Sequence, residues 1–122
     1  MRKVLYVEDD PINAMVMEKL LGYDFAVTRV ADGEACLEII QKEDFDIILM
    51  DVHLGKGKID GTKVLKEVKA DPRYKDVRVI AITSYALPED EDRFLNDGFD
   101  DYFAKPVDFH KLIERLNQYL ES

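Results

Sequence analysis

Ile47-Ile48-Leu49-Met50-Asp51 runs four aliphatic residues straight into a carboxylate. There is no polar-apolar alternation in the run, so a strand built from it has both faces covered. Strands of that kind belong to parallel sheets flanked by helices. Working outward, 3–7 and 77–82 are similar near-continuous runs, and 26–30 and 101–104 complete a set of five expected strands. The third strand is expected over 47–50, with Asp51 just beyond its end.

Helical patterns fill the gaps. Asp10-Pro11 reads as an N-cap followed by proline at the first helical position. That helix carries Ile12, Met15, Val16 and Leu20 as its apolar stripe and stops near Gly22. A second starts near Asp32-Gly33 with the stripe Ala35, Cys36, Ile39, Ile40. The third starts at Asp60, carries Val64, Leu65 and Val68, and ends before Pro72. The fourth begins near Pro88 and stops at Gly98, with a thin apolar face of Phe94 and Leu95. The last starts at Asp108 and carries Phe109, Leu112, Ile113, Leu116, Tyr119 and Leu120 at helical spacing. Five strand-then-helix repeats imply an α/β, flavodoxin-like (βα)5 fold: a doubly wound, parallel five-stranded sheet in the order 2-1-3-4-5.

The 122 residues suffice for one domain, expected to span 1–122, and no linker or repeat divides them. A net charge of −9 argues against nucleic acid or an anionic membrane as a direct partner. Cys36 stands alone, so no internal disulfide is possible, and it reads as a small core residue. No apolar run suits a signal peptide or a membrane span, which makes the cytoplasm the expected compartment.

In such a sheet, ligands bind beyond the carboxyl ends of the strands, at the switch point between strands one and three. Glu8, Asp9 and Asp10 follow strand one, Asp51 follows strand three, Thr83 and Ser84 follow strand four, and Lys105-Pro106 follows strand five. Asp10 reads chiefly as a helix cap. Glu8, Asp9 and Asp51 are expected to crowd together, and a hard divalent cation would relieve three like charges. Mg²⁺ suits the set, since it takes one or two carboxylates and keeps several waters, with Mn²⁺ as the alternative. Asp51 is then a candidate carboxylate nucleophile that forms an acyl phosphate. Phosphoryl transfer needs positioning and cations near the equatorial oxygens, for which Lys105 and the Thr83 hydroxyl are candidates.

Taken together these residues resemble the response-regulator receiver domains of two-component signalling. Val4–Pro11 is similar to the family's opening strand and acidic cluster, and Asp46–Asp51 to its phosphoacceptor strand. Ala81-Ile82-Thr83-Ser84 resembles its strand-four switch, and Tyr102-Phe103-Ala104-Lys105-Pro106 its strand-five signature. The resemblance implies that Asp51 is phosphorylated by a sensor histidine kinase, a hybrid kinase or a phosphotransfer protein. It implies that Asp9, Asp51 and the His53 backbone carbonyl bind Mg²⁺, with Glu8 acting through water. The family often has Asp at the Glu8 position, and Glu is a familiar variant. It further implies that Lys105 contacts the phosphoryl group and that the Lys105–Pro106 bond is cis. Thr83 would move toward the phosphate and Tyr102 would turn inward, shifting the surface of helix four, strand five and helix five.

Two places depart from the family pattern. The loop Leu54-Gly55-Lys56-Gly57-Lys58-Ile59-Asp60-Gly61 is longer than usual, with Gly55 where proline is frequent. His53 and Tyr85 occupy positions that influence hydrolytic water in the family, so they are expected to set the lifetime of the phosphorylated form. Only Glu121 and Ser122 follow the last helix, so a stand-alone receiver without an output domain is expected, acting as a signalling protein and not an enzyme. An aspartyl phosphatase of the haloacid-dehalogenase type would need Asp-x-Asp on the first strand. A flavodoxin would need a Ser/Thr/Gly-rich loop where this chain has three acids. A receiver-like scaffold that is never phosphorylated usually lacks a key residue, and none is missing here.

Overall fold

The structure, a computed structural model, describes residues 1–52, 61–84 and 87–121. Strand β1 (Lys3–Val7) leads into helix α1 (Pro11–Leu21), then β2 (Ala26–Val30), α2 (Gly33–Lys42) and β3 (Ile47–Asp51). Helix α3 (Gly61–Ala70) and a short 3₁₀ turn (Pro72–Tyr74) precede β4 (Arg78–Thr83). Helix α4 (Pro88–Asp97), β5 (Asp101–Ala104) and α5 (Phe109–Glu121) follow. All pairings are parallel and the order is β2-β1-β3-β4-β5, as the continuous apolar runs require.

Two strand limits differ from the sequence reading. β3 extends one residue further, to Asp51, and β4 is shifted by one, to Arg78–Thr83. Both shifts have the same cause. Asp51 pairs with Ile82, and Thr83 pairs with Ala104, so the ladder continues beneath polar side chains that hydropathy alone excludes.

The sheet separates two cores. Leu5, Val7, Ile48, Met50, Val79 and Ala81 face α2, α3 and α4, where they meet Cys36, Ile40, Val64, Leu65, Val68 and Phe94. Val4, Tyr6, Ile47, Leu49, Ile80 and Ile82 face α1 and α5, where they meet Ala14, Met17, Leu21, Leu112 and Leu116. Each large side chain buried this way contributes roughly 1.5–3 kcal/mol. Cys36 is fully buried, and burial pushes its thiol up to about 12, which keeps it an inert core residue.

The helix ends obey local chemistry. Asp10 accepts from the Ile12 and Asn13 amides and Asp32 from that of Ala35. Asp108 Oδ1 accepts from the Lys111 amide at the start of α5. α4 ends at Gly98, whose φ of 116° is left-handed backbone that a side chain would strain. The expected start of α3 at Asp60 lies outside the described residues.

The apolar stripe of α1 is a correction. Ile12, Met15, Val16 and Leu20 are exposed, and Ala14, Met17 and Leu21 are buried instead. Pro-Ile-Asn-Ala-Met-Val-Met-Glu-Lys-Leu-Leu is apolar on nearly every side, so periodicity supports either stripe. The Asp10 cap and Pro11 set how the helix leaves β1, and that direction turns Ala14 and Met17 to the sheet. In α4, Leu95 is likewise exposed, leaving Phe94 as the one apolar side chain of that helix that is buried.

Candidate functional site

The register brings the polar residues to one edge. Val7 pairs with Met50, Asp51 with Ile82, and Thr83 with Ala104. Glu8, Asp51, Thr83 and Lys105 therefore leave neighbouring strands within two residues of one level. Alternation then divides them between faces. Glu8 continues the row of Val4 and Tyr6, Asp51 that of Ile47 and Leu49, and Lys105 follows Phe103, all on the α1/α5 side. Thr83 continues the row of Ala81 toward α4.

Lys105 joins the first three. Its Nζ lies 2.5 Å from Asp51 Oδ2 and 3.3 Å from Glu8 Oε1. The Glu8 and Asp51 side chains are almost wholly removed from solvent. Burial pushes Glu8 up to about 7, reinforced by its hydrogen bond to Asp51 and the Asp51 charge, while Lys105 and the Asp10 amide pull it back. Burial works against the Lys105 ammonium, but the Asp51 hydrogen bond and the two carboxylate charges outweigh it and raise its pKa. The trio holds two carboxylates against one cation.

Glu8 is gripped from several sides. The Tyr6 hydroxyl donates to Oε1 at 3.2 Å, and the Asp10 amide donates to Oε2 at 3.4 Å. Arg29 Nε donates to the Glu8 carbonyl at 2.8 Å, and the Glu8 amide donates to Val30. Burial and the Glu8 and Asp51 charges raise the Tyr6 phenol far above its ordinary range, so it stays protonated.

Of the three acids expected to crowd, the side chains of Glu8 and Asp51 are buried and share Lys105. Asp9 is exposed, and among the described residues no three His, Cys, Asp or Glu side chains form a ready metal cage. Asp10 is occupied as the α1 cap. The donor set still fits a hard cation. Two neighbouring carboxylates share one ammonium, Glu8 is raised by burial and by Asp51, and Asp9 stands next in the chain with solvent access.

Thr83 is completely buried at the end of β4, and its carbonyl accepts from the Lys105 amide at 2.8 Å. Tyr102, on β5, is half-buried and stacks on Phe94 of α4, with centroids 5.7 Å apart and planes 24° from parallel. Burial, then Asp90 and Glu91, raises its phenol. The Lys105–Pro106 peptide bond is cis.

The family model for the response regulator receiver domain matches residues 4–117. The chain belongs to the response-regulator receiver family. The polar-differentiation response regulator DivK of Brucella ovis is 32% identical over 122 residues, covering 98% of this chain and 96% of DivK. A receiver domain from a sensor histidine kinase of Pseudomonas aeruginosa, solved with magnesium in its active-site cleft, is 34% identical. Its TM-score is 0.87, over 99% of this chain and 98% of that one. Chemotaxis protein CheY4 of Vibrio cholerae gives a TM-score of 0.87 at 27% identity, over 98% and 99% of the two chains. Receiver domains are components of two-component systems, phosphorylated by histidine kinases, and are signalling modules and not classical enzymes. No described helix is long and apolar enough to cross a membrane.

Within this receiver, Tyr6 and Arg29 were not legible as site residues. Tyr6 reads as one more apolar residue of β1. The available signal was spacing, since Tyr6 and Glu8 are two apart in an extended run and so share a face. Arg29 sits on a neighbouring strand, and only the β1–β2 register reveals that it reaches the Glu8 carbonyl. His53 and Tyr85 lie outside the described residues, as does the loop 53–60.

Proposed function

We propose that this receiver, acting as one unit over residues 1–122, is a phosphorylation-dependent switch in which Asp51 accepts a phosphoryl group. The donor is a phosphohistidine on a sensor histidine kinase, hybrid kinase or phosphotransfer protein. An Asp51 oxygen bonds to phosphorus as the P–N bond to the donor imidazole breaks. The observation that carries this reading is the buried Asp51 carboxylate held 2.5 Å from the Lys105 ammonium at the carboxyl edge of the sheet. That pair orients the nucleophile and leaves a cation beside the equatorial oxygens.

Asp9, Asp51 and the His53 carbonyl would hold Mg²⁺ or Mn²⁺, with Glu8 acting through water. When bound, the ion neutralises charge on the transferring group. Lys105 exchanges its carboxylate partners for a phosphoryl oxygen, and the Thr83 hydroxyl donates to another. Thr83 and Tyr102 stand on the same face of neighbouring strands, β4 and β5, and Tyr102 stacks on α4. A shift of Thr83 toward phosphate therefore frees room for the ring, and α4, β5 and α5 form the signalling face. His53 and Tyr85 would govern how long the phosphoryl group survives. The expected compartment is the cytoplasm, with no direct role for nucleic acid or membrane.

Incubation with acetyl phosphate and Mg²⁺, read by intact mass, tests this. One added phosphoryl group is expected in the native chain, and none in Asp51→Asn or in excess chelator. An unmodified native chain with every phosphodonor would overturn the proposal.

A further inference from the structure

We propose that Tyr6 is a positioning residue for the phosphorylation site, its hydroxyl holding the Glu8 carboxylate in place when Lys105 turns to the phosphoryl group. The inference rests on the reading of the site given above. In the resting structure, Glu8 Oε1 is shared between Lys105 Nζ at 3.3 Å and the Tyr6 hydroxyl at 3.2 Å. Lys105 Nζ also serves Asp51, so it is the partner that leaves when a phosphoryl group arrives. Tyr6 on Oε1 and the Asp10 amide on Oε2 then continue to hold the carboxylate.

The length of Glu8 makes this hold matter. A glutamate has one more rotatable bond than an aspartate, and fixing it opposes side-chain entropy. Tyr6 is 1% exposed and packed in the core between the sheet and α1/α5, so its hydroxyl is a rigid fixture. It anchors the far oxygen of the longer side chain at the distance where that side chain ends. A carboxylate one methylene shorter would not reach the hydroxyl. The Tyr6–Glu8 pair is therefore a matched unit, in which the outer partner orients a group near the cation.

A double-mutant cycle on the full chain tests the match, with MgCl₂ titrated and its dissociation constant read from amide chemical shifts. Tyr6→Phe keeps the ring and removes the hydroxyl. It is expected to weaken Mg²⁺ about tenfold, the lower range for an outer partner of a metal site. In the Glu8→Asp background the same change is expected to alter affinity less than about twofold, the limit for uncoupled sites. Melting without Mg²⁺ checks that each variant is folded. Equal losses in both backgrounds, or no loss in either, would overturn the positioning role while leaving the site intact. A native chain whose shifts do not respond to MgCl₂ would overturn the reading of the site, and this inference with it.

Discussion

Lys105 is the counter-ion that lets Glu8 and Asp51 lie side by side out of water. In the proposed function it is also the cation offered to an incoming phosphoryl group. Removing it leaves two buried carboxylates with less compensation. Lys105→Met is expected to lower metal-free stability by about 1–3 kcal/mol, the usual cost of leaving buried polar groups undersatisfied. The loss should be larger at pH 8 than at pH 6, because Glu8 can take up a proton at the lower pH and hydrogen-bond to Asp51 while keeping it. Urea titrations at the two pH values check this, and equal losses would contradict it.

Glu8 alone gives a second test with a defined sign. Its ordinary value of 4.5 is raised to about 7 in the fold, first by burial and then by Asp51. A carboxyl raised on folding contributes stability below its unfolded pKa and loses it as pH rises through the folded one. The metal-free protein should therefore lose stability between about pH 4.5 and 7, and Glu8→Gln should flatten that limb. A limb unchanged by Glu8→Gln would assign the dependence elsewhere. Stability rising over that window would reverse the sign and contradict the raised value itself.

Among the elements, α1 shows where sequence periodicity stops deciding. Its apolar residues satisfy two stripes, and tertiary direction chooses Ala14, Met17 and Leu21. Met17→Ala is expected to cost about 2–5 kcal/mol through lost burial and a cavity. Ile12→Lys or Met15→Lys should each stay within about 0.5 kcal/mol, as exposed positions do. Thermal melts of the three variants check the assignment, and a severe loss in Ile12→Lys would restore the other stripe. α4 is the opposite case. Its thin apolar face was legible in Pro88–Asp97 because that segment is mostly acidic, and the structure reduces the buried apolar part to Phe94. Asp90 offsets this locally, accepting from the Leu87 amide at 3.3 Å and pairing with Arg93.

At the scale of the whole molecule, strand identity and order were legible because apolar runs such as Val4–Val7 and Ile47–Met50 admit no reading but buried strands. The company of Glu8, Asp51, Thr83 and Lys105 was legible too, since a residue that ends a strand in such a sheet falls on one known edge. What escaped was contact between those ends. No pattern in the chain announces that Lys105 bridges both acids, that Tyr6 holds Glu8, or that Asp9 stands in solvent while Glu8 does not. These depend on side-chain reach across β1, β3 and β5, which only the register determines. Phosphorylation of a single carboxylate is read directly by chemical trapping. Borohydride reduces an acyl phosphate to the alcohol, so the chain phosphorylated with acetyl phosphate and Mg²⁺ should yield, after proteolysis, one peptide in which Asp51 has become homoserine. Asp51 recovered unchanged, or reduction at Glu8, Asp9 or any other acid, would contradict the account.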